Sequence, residues 1–538
     1  MNIKDFISNL FNNNYNFSLI NDKKENLSSF NTNNTNVFSE INKNLDFLKS
    51  KYNTLINSDI IIREFQTLAQ NQLYKSFIIY IDGLSDSISI NDFILEPLMY
   101  PKHIKNPNSN NLLEYIDNRL LPQTSVEKVE KYEDVCSGIN MGNCLLFIDT
   151  LNIAFNIDVK DYKTRSVEKP ENEAIIKGPQ EGFVENLRTN TSLVRRIVNN
   201  ENLIIENIAI GNVSKTKCGI CYMQNITNPD LVAEVKYRLN NLNVDSLLST
   251  GELEQLIEDN EDFGIPQVIS TERPDKCCKY LFQGRVIILV AGNPYALIAP
   301  ATIEDFLFSP EDTNLQPLYS NFLRIIRFIA ATITLLLPSI YIALTCFHQE
   351  ILPTELLFSI LAARENVPFP VIFELLLMEF SFELIREAGL RVPSPIGSTI
   401  GIVGALILGD AAVNAGIVSP ILIIIVAITG IASFAIPDFS FGFHLRIFRF
   451  VFIALGFTAG FLGIGAGLFS YITLLCSIKS FGVPYTTPIA PSFNTKGNGF
   501  FVPPIWKREY RATFLSSKKE KAQGKISKKW KYKKIKNF

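Results

Sequence analysis

Apolar residues divide the chain into a first part with short runs and a second part with long ones. Before about residue 320, short runs rich in Ile, Leu, Val and Phe stand between charged and polar stretches. Runs of this length and composition predict β-strands. The clearest of them are residues 77–81, 144–149, 203–210 and 285–290.

The segments between these runs repeat apolar residues at helical spacing. Residues 230–239 carry such a stripe, and Asn228-Pro229 supplies a capping residue followed by a proline in the first turn. Strands that alternate with helices predict α/β layers. The first half of the chain is therefore predicted to be an α/β cytoplasmic part.

Composition suggests where this part begins and where it divides. Residues 12–44 are mostly polar, and we expect them to be disordered because they bury too little surface to offset the entropy of ordering. A charged, proline-marked stretch at 167–179 predicts a break between two subdomains. The predicted organisation is a disordered Asn-rich lead (1–45), two cytoplasmic α/β subdomains (46–165 and 166–320), a helical transmembrane domain (321–480) and a basic cytoplasmic tail (481–538).

Long uncharged stretches dominate the second half. Residues 328–347 are twenty positions without a charge, which is the length of a helix that crosses a bilayer. Residues 396–436 contain one charge and are long enough for two crossings that turn near residues 418–420. Residues 450–478 predict either one long tilted helix or a tight pair. This half is predicted to be an all-α polytopic membrane domain.

The charge of the two ends bears on the number of crossings. From Lys507 onward the chain carries thirteen Lys and Arg against two acidic residues, although its net charge is -2. Beside a membrane span, such a tail predicts a cytoplasmic anchor on membrane lipids rather than a nucleic-acid site. Because no secretory signal is visible, we expect the first half in the cytoplasm too, and an even number of crossings, four, is favoured.

Four crossings conflict with part of the charge distribution. They leave several arginines in loops on the non-cytoplasmic side, against the tendency of cationic residues to stay inside. A re-entrant element over residues 352–391 would remove the conflict. The arginines concerned are Arg364, Arg386, Arg391, Arg446 and Arg449.

Three glutamates in the apolar half are candidate ion-path or gating groups. Glu379, Glu383 and Glu387 recur every four residues and so share one helix face. Carboxylates beside membrane spans face water, a partner or a permeation path, and a ring of them in an oligomer attracts cations. The alternative is a neutral interfacial helix in which Glu383 pairs with Arg386 and Glu387 with Arg391.

Asp410 is the fourth candidate for the ion path or gating, since it lies in an otherwise apolar segment. If its helix ends nearby, Asp410 lies instead at the membrane interface, with Asn414 one turn further on. Glycines at helical spacing predict close packing of helices, a feature of many membrane proteins. The candidate packing glycines are Gly397, Gly401, Gly404, Gly456 and Gly460.

Signals for catalysis, metals and cofactors are weak. The three histidines are isolated, and we find no phosphate-binding glycine loop. Cys218-Gly-Ile-Cys221 lacks the second cysteine pair of a structural zinc site, so we expect buried, reduced thiols. Arg273 and Asp275 are the polar pair that a catalytic hypothesis would test, and a loop salt bridge explains them as well. We predict a protein that is not an enzyme and needs no cofactor.

Three blocks of sequence carry a family resemblance. The first is Gly178-Pro-Gln-Glu-Gly-Phe-Val-Glu-Asn186, and the second is Thr271-Glu-Arg-Pro-Asp275. The third runs from Leu337-Pro-Ser-Ile-Tyr341 through Arg386-Glu-Ala-Gly-Leu-Arg391 to Pro393-Ser-Pro-Ile-Gly397. Together they resemble the A subunit of the GerA family of spore germinant receptors, over about residues 46–480.

The resemblance implies two cytoplasmic α/β subdomains and a helical membrane domain in the spore inner membrane. It also implies a transporter-like B subunit and a lipid-anchored C subunit as partners, and a homo-oligomer of A subunits that forms an ion-conducting path. At Asp410 the chain departs from the neutral amide that the family often has, so pore chemistry does not transfer to that position.

Two other hypotheses compete with a receptor subunit. A secondary transporter of small solutes or ions would have an inverted repeat with paired broken helices, and we find no such symmetry. A membrane-anchored enzyme would need a cluster of acid, base or nucleophile in the first half. The receptor subunit is the hypothesis that the sequence favours.

Overall fold

In the computed structural model, the described residues begin at 36 and end at 524. Arg391, Gly397 and Gly401 lie outside them, as do the predicted disordered lead up to residue 35 and the last residues of the basic tail. The gaps within the described part are residues 70–71, 101–111, 124, 161–169, 171–172, 174, 176, 261–262, 391–403, 405–406, 493–500 and 502.

A five-stranded antiparallel sheet forms from the first elements of the chain, in the order β1-β2-β4-β5-β3. Helices α1 and α2 cover one face of this first sheet, and short helical turns between residues 87 and 120 cover the other. The bounds are α1 Ile41–Tyr52, β1 Ile60–Ala69, β2 Gln72–Ile81, β3 Val126–Val129, α2 Tyr132–Asn140, β4 Cys144–Ile148 and β5 Ala154–Ile157.

A second five-stranded sheet repeats this arrangement. Its order is β6-β7-β9-β10-β8, which is the order of the first sheet with every strand number raised by five. Helices α3 and α6 cover one face, and α4 and α5 cover the other. The bounds are α3 Leu187–Ile197, β6 Leu203–Ile210, β7 Thr216–Met223, α4 Pro229–Asn240, α5 Thr250–Ile257, β8 Ile269–Thr271, α6 Pro274–Gln283, β9 Val286–Val290 and β10 Ala296–Ala299.

The sequence patterns account for these elements. The predicted strands at 77–81, 144–149, 203–210 and 285–290 correspond to β2, β4, β6 and β9. Helix α4 begins as its cap predicts, because the Asn228 side chain accepts a hydrogen bond from the amide of Asp230 and Pro229 occupies the first turn. The predicted α/β fold of this half is confirmed.

A buried ion pair joins the two sheets. Arg195 on α3 donates two hydrogen bonds to the Asp59 carboxylate, at 2.7 and 2.8 Å, and a third to Asn57. The amide of Ser58 also donates to the carbonyl of Ile205 on β6. The loop before β1 is therefore fixed against the edge of the second sheet.

The remaining helices form an apolar bundle next to the second sheet. Two of the described helices, α8 and α13, are long and apolar enough to cross a bilayer. The predicted all-α second half is confirmed. The bounds are α7 Ile303–Leu307, α8 Pro317–Cys346, α9 Thr354–Arg364, α10 Val371–Leu390, α11 residues 407–414, α12 Pro420–Phe434 and α13 Phe439–Ser477.

Helix α13 is a tight pair of antiparallel arms, which was one of the two forms predicted for residues 450–478. Its backbone leaves the helical region at Ala459 and Gly460, where Gly460 has φ 56° and ψ -137°. Glycine adopts this conformation readily, and other residues rarely do. The chain then folds back, so that Nε2 of His444 lies 3.1 Å from the Tyr471 hydroxyl.

Contacts at the two ends of the bundle fix the direction of each helix. We call the end at the second sheet proximal, because Phe306 on α7 contacts the rings of Phe441 and Tyr485 there. We call the opposite end distal. There the ring of His348, just after α8, lies 5.0 Å from that of Phe461 beside the turn of α13.

By these contacts the helices of the described part form six legs that alternate in direction. Helix α8 runs to the distal end, α10 returns, α11 runs out, α12 returns, and the arms of α13 run out and back. Glu374 near the start of α10 lies beside Ser419 before α12, and Arg386 near the end of α10 lies beside Ser433 near the end of α12. These two helices are therefore parallel.

After the second arm, the chain returns to the second sheet. Ser480 accepts a hydrogen bond from the amide of Ala301 and donates one to the carbonyl of Gln267. The buried ring of Phe481 lies under the guanidinium of Arg238, 4.2 Å from its carbon. Further on, Ser517 donates to the carbonyl of Gln283 at the end of α6.

Candidate functional site

The predicted glutamate stripe lies on α10, and its members differ in burial. Glu379 is fully buried, Glu383 is partly buried and Glu387 is exposed. The helical spacing places all three on one face, so the face passes from the interior of the bundle to its surface. We therefore describe Glu379 and Glu383 as part of a cluster and Glu387 as a surface group.

Two arginines of α13 meet these buried carboxylates. Arg446 and Arg449 are three residues apart in the first arm, so both face α10. One nitrogen of Arg449 lies 3.0 Å from Glu379 and 3.0 Å from Glu383. Arg446 lies 3.1 Å from Glu383. A buried guanidinium between two carboxylates can interact strongly with both, because its planar N–H groups donate charge-assisted hydrogen bonds in fixed directions.

Arg386 connects this cluster to α12. It lies 3.8 Å from Glu383, donates a hydrogen bond to the Ser433 hydroxyl and stacks on the ring of Phe434 at 4.3 Å. The predicted pairing of Glu383 with Arg386 is therefore present, together with two arginines that it did not include. We call Glu379, Glu383, Arg386, Arg446 and Arg449 the charged cluster.

Hydrogen bonding within the charged cluster is incomplete. Both carboxylate oxygens of Glu379 are buried without a hydrogen-bond partner, although Arg449 lies at ion-pair distance. The Nε atoms of Arg386 and Arg449 also lack partners. Because an unsatisfied buried polar group costs about 1–3 kcal/mol, this cluster is less stable than a fully paired one.

A second buried carboxylate holds the distal end together. Glu374 is fully buried, lies 3.2 Å from Arg364 at the end of α9, and accepts a hydrogen bond from the amide of Ser419. Glu374 lies five residues before Glu379 and so faces a different side of α10. It joins α9, α10 and α12 at the opposite end from the charged cluster.

Asp410 lies on the exposed surface of α11, where it accepts a hydrogen bond from Asn414 one turn later. Of the candidate glycines, Gly404 is in contact range of Ile385, and a Cβ at Gly456 would lie 2.9 Å from the carbonyl oxygen of Ser339. Gly456 therefore lets the first arm of α13 approach α8 closely. Gly460 provides the turn of the hairpin.

The catalytic and thiol alternatives take structural roles. Arg273 is fully buried, lies 3.0 Å from Asp275, and donates to the carbonyls of Glu173 and Pro179, which fixes a loop. Burial raises the pKa of the Cys218 and Cys221 thiols to about 12. Among the residues described, no group of three or more His, Cys, Asp and Glu is placed to hold a metal ion.

Sequence reasoning missed Arg446 and Arg449 because it placed them in a loop between crossings. The sequence nevertheless contains a pattern that could have identified them. Two arginines three residues apart in an apolar helix need a buried acid, and α10 supplies two acids at matching spacing. Matching the acidic residues of one predicted helix with the arginines of another would have identified the cluster.

These features define a class of protein in which a duplicated antiparallel α/β unit is fused to an apolar helical domain with a charged interior. The chain matches the family model described as Bacillus/Clostridium GerA spore germination protein over residues 46–514. It belongs to the GerA family, as the sequence resemblance predicted.

Known relatives span most of the chain. Spore germination protein KA of Bacillus subtilis (strain 168) is 40% identical over 471 residues, which cover 87% of this chain and 86% of that protein. Spore germination protein GerLA of Bacillus cereus is 37% identical over 436 residues, 81% of this chain and 88% of that protein.

One similar solved structure is the crystal structure of the N-terminal domain of the A subunit of the Bacillus megaterium spore germinant receptor GerK3. It is 32% identical, covers 50% of this chain and 98% of its own, and superposes with a TM-score of 0.40.

Proposed function

We propose that the chain is the A subunit of a nutrient germinant receptor in the spore inner membrane and helps to trigger germination by forming an oligomeric ion-conducting path. The observation that carries this proposal is membership of the GerA family over nearly the whole folded chain. The relatives named above are spore germination proteins. Ionisable groups in the interior of a helical membrane domain often mark ion pathways, which supports this proposal.

In this proposal the six helical legs lie in the membrane and both sheets lie in the cytoplasm. The even number of legs returns residues 478–485 to the second sheet. Arg386, Arg446 and Arg449 then lie in the proximal half of the bundle, toward the cytoplasm, as the positive-inside tendency asks. Among the arginines that the structure describes, the conflict that four crossings created is reduced to Arg364.

The domain boundaries follow the same division. We propose cytoplasmic subdomains at 46–165 and 166–320, because the sheets end at Ile157 and Ala299. The membrane domain at 321–480 begins within α8 and ends with the hairpin. The tail at 481–538 packs on the second sheet through Phe481 and Ser517, and we propose that its basic side chains face anionic lipid on the cytoplasmic side.

The partners in this proposal are a transporter-like B subunit, a lipid-anchored C subunit and further copies of the A subunit. We assign the exposed carboxylates Glu387 and Asp410 to an ion path between copies, where they would attract cations. Glu379 and Glu383 are paired inside one chain and are assigned to gating.

Cation flux into liposomes that contain the purified oligomer tests this proposal. We expect wild-type protein to conduct, and Glu387→Gln and Asp410→Asn to lower the preference for cations about twofold or more, because each removes a fixed negative charge from the path. Glu64→Gln is the matched control, since it removes an exposed carboxylate from the first sheet.

An oligomer that carries no flux would contradict the ion path. Conduction with unchanged selectivity in both variants would instead reject Glu387 and Asp410 as path residues. A change in Glu64→Gln equal to theirs would show that the effect is not specific to the path.

A further inference from the structure

Two parts of the helical domain are held to the rest of the protein in different ways. The second sheet, α8, α13 and residues 478–485 share one apolar core, which includes Phe306, Leu335, Phe441, Tyr471 and Tyr485. We call these elements the anchored body. Helices α10 and α12, which we call the helix pair, contribute to a separate core with Leu375, Met378, Leu422 and Val426.

Within the anchored body, both ends of the α13 hairpin pack against the second sheet. Its first arm begins beside Phe306, and its second arm leads into Ser480 and Phe481, which are buried against the second sheet. Arg238, which covers Phe481, is itself held by Glu234 and Asp259. These contacts make the second sheet and the hairpin one packed unit.

The helix pair contacts the anchored body differently at its two ends. Toward the distal end the contact is apolar, through Tyr341 and Ile342 of α8 and Ile453 of α13. Toward the proximal end the charged cluster joins them, with Glu379 and Glu383 on the helix pair and Arg446 and Arg449 on the anchored body. Helix α12 is joined to α13 at its proximal end, where Ile436 lies in the core of the anchored body. A tilt of α10 about the distal contact would therefore separate the charges and leave both apolar cores in place.

From this arrangement we infer that the charged cluster is a latch that holds the proximal end of α10 against the first arm of α13, and that its release admits water between α10 and α12 beside Ser433. The unpaired oxygens of Glu379 and Nε of Arg449 favour such a release, because water would satisfy groups that the closed form leaves without hydrogen bonds. A role of the latch in gating ions rests on the proposed function. The opening of the contact between α10 and the anchored body does not depend on it.

Thiol labelling in the full-length protein tests the latch without measuring ion flux. Ser433→Cys places a reporter on α12 beside Arg386, in a background with the exposed Cys346 and Cys476 replaced by alanine. The native Cys221 and Cys277 report on the anchored body, because both are buried in its core. A charged methanethiosulfonate reagent and mass spectrometry give the labelling rate at each site.

We expect Arg449→Met to raise the labelling rate of Ser433→Cys about tenfold or more, since it leaves Glu379 without its cationic partner. Adding Glu379→Met should return the rate toward that of the unmutated cluster, because the buried pair is then replaced by two apolar side chains. Arg446→Met should give a smaller rise, since Glu383 keeps Arg449. Cys221 and Cys277 should stay unlabelled throughout.

An unchanged Ser433→Cys rate in Arg449→Met would overturn the latch, as would failure of the double replacement to lower that rate. Parallel labelling of Cys221 would also overturn it, because the variant would then loosen the whole protein rather than one contact. Conduction by wild-type protein is a separate measurement, so a lack of flux with the expected labelling would reject only the ion path.

Discussion

The two five-stranded sheets have the same strand order and very different surroundings. The apolar clusters on either side of the first sheet contain only residues between Val37 and Val159. The clusters of the second sheet continue into other elements: one includes residues of α8 and α13, and the other includes Phe481. Within the part of the chain that the structure describes, the second sheet alone shares its core with the helical domain.

This difference shows that attachment to the helices does not come from topology. Both sheets carry helices on both faces. In both, the chain continues to the next part of the protein after the last strand of the sheet. The second sheet is distinguished by the residues after its last strand, where Phe306 and Leu307 continue the core outward to Phe441 and Tyr485. The junction between the two sheets depends instead on the polar pair Asp59 and Arg195.

The apolar junction, by which Phe306 joins the second sheet to α13 and residues 478–485, should cost more free energy of unfolding to remove than the ion pair between the two sheets. Phe306→Ala deletes a fully buried ring that contacts both ends of the hairpin, and we expect a loss of about 4 kcal/mol. Hydrogen exchange in β9 and in residues 478–485 should rise together, because they belong to one packed unit. The measurement is exchange by mass spectrometry on the detergent-purified protein.

Phe155→Ala is the matched control for that experiment. Phe155 is as deeply buried in the first sheet, so its removal should speed exchange in β4 and β5 and leave β9 unchanged. Equal effects of both variants on β9 would show that the two sheets share one cooperative unit, and the comparison would then fail.

The polar junction is tested by Arg195→Met. This change leaves the Asp59 carboxylate buried without its cation, and we expect a cost of about 3 kcal/mol that is confined to the contact between the sheets. Exchange at Ser58 and Ile205 should rise while that within β9 does not. Arg196→Met removes the neighbouring, partly exposed pair with Glu181 and should cost less than about 1 kcal/mol.

Much of the fold could be predicted from the sequence, because local patterns determine it. The buried strands at β2, β4, β6 and β9 are apolar runs, and α4 carries its cap in the sequence. The duplication of the sheet could not be seen in this way. It lies in strand order, which depends on pairing between distant segments, and the two copies share no obvious sequence period.

The candidate site was predicted only in part for a related reason. The glutamates of α10 were recognised from their helical spacing, but their partners come from α13, 63 to 70 residues away. A sequence pattern shows which residues share a face and not which face they meet. Helix α10 was not predicted as a leg of its own for a similar reason, because it carries too many charges to resemble a membrane span until its arginine partners are known.

The smallest predicted effect is a pH dependence at the apolar junction. Burial, and then the neighbouring Asp305, raise the pKa of Glu304 to about 7, from 4.5 in an unfolded chain. Between these values the folded protein keeps a proton that the unfolded chain releases, so raising the pH from about 4.5 to 7 destabilises the fold. Glu304→Gln removes this penalty. It should match wild type at pH 4 and exceed its stability by about 2 kcal/mol at pH 8.

Thermal unfolding at the two pH values measures that difference. Glu64→Gln removes an exposed carboxylate from the first sheet and should leave the pH dependence of wild type in place. If Glu304→Gln retains the same pH dependence as wild type, the carboxyl of Glu304 is hydrated in the folded protein. The junction would then admit water beside Phe306, and the second sheet would be held to the helices less tightly than its shared core implies.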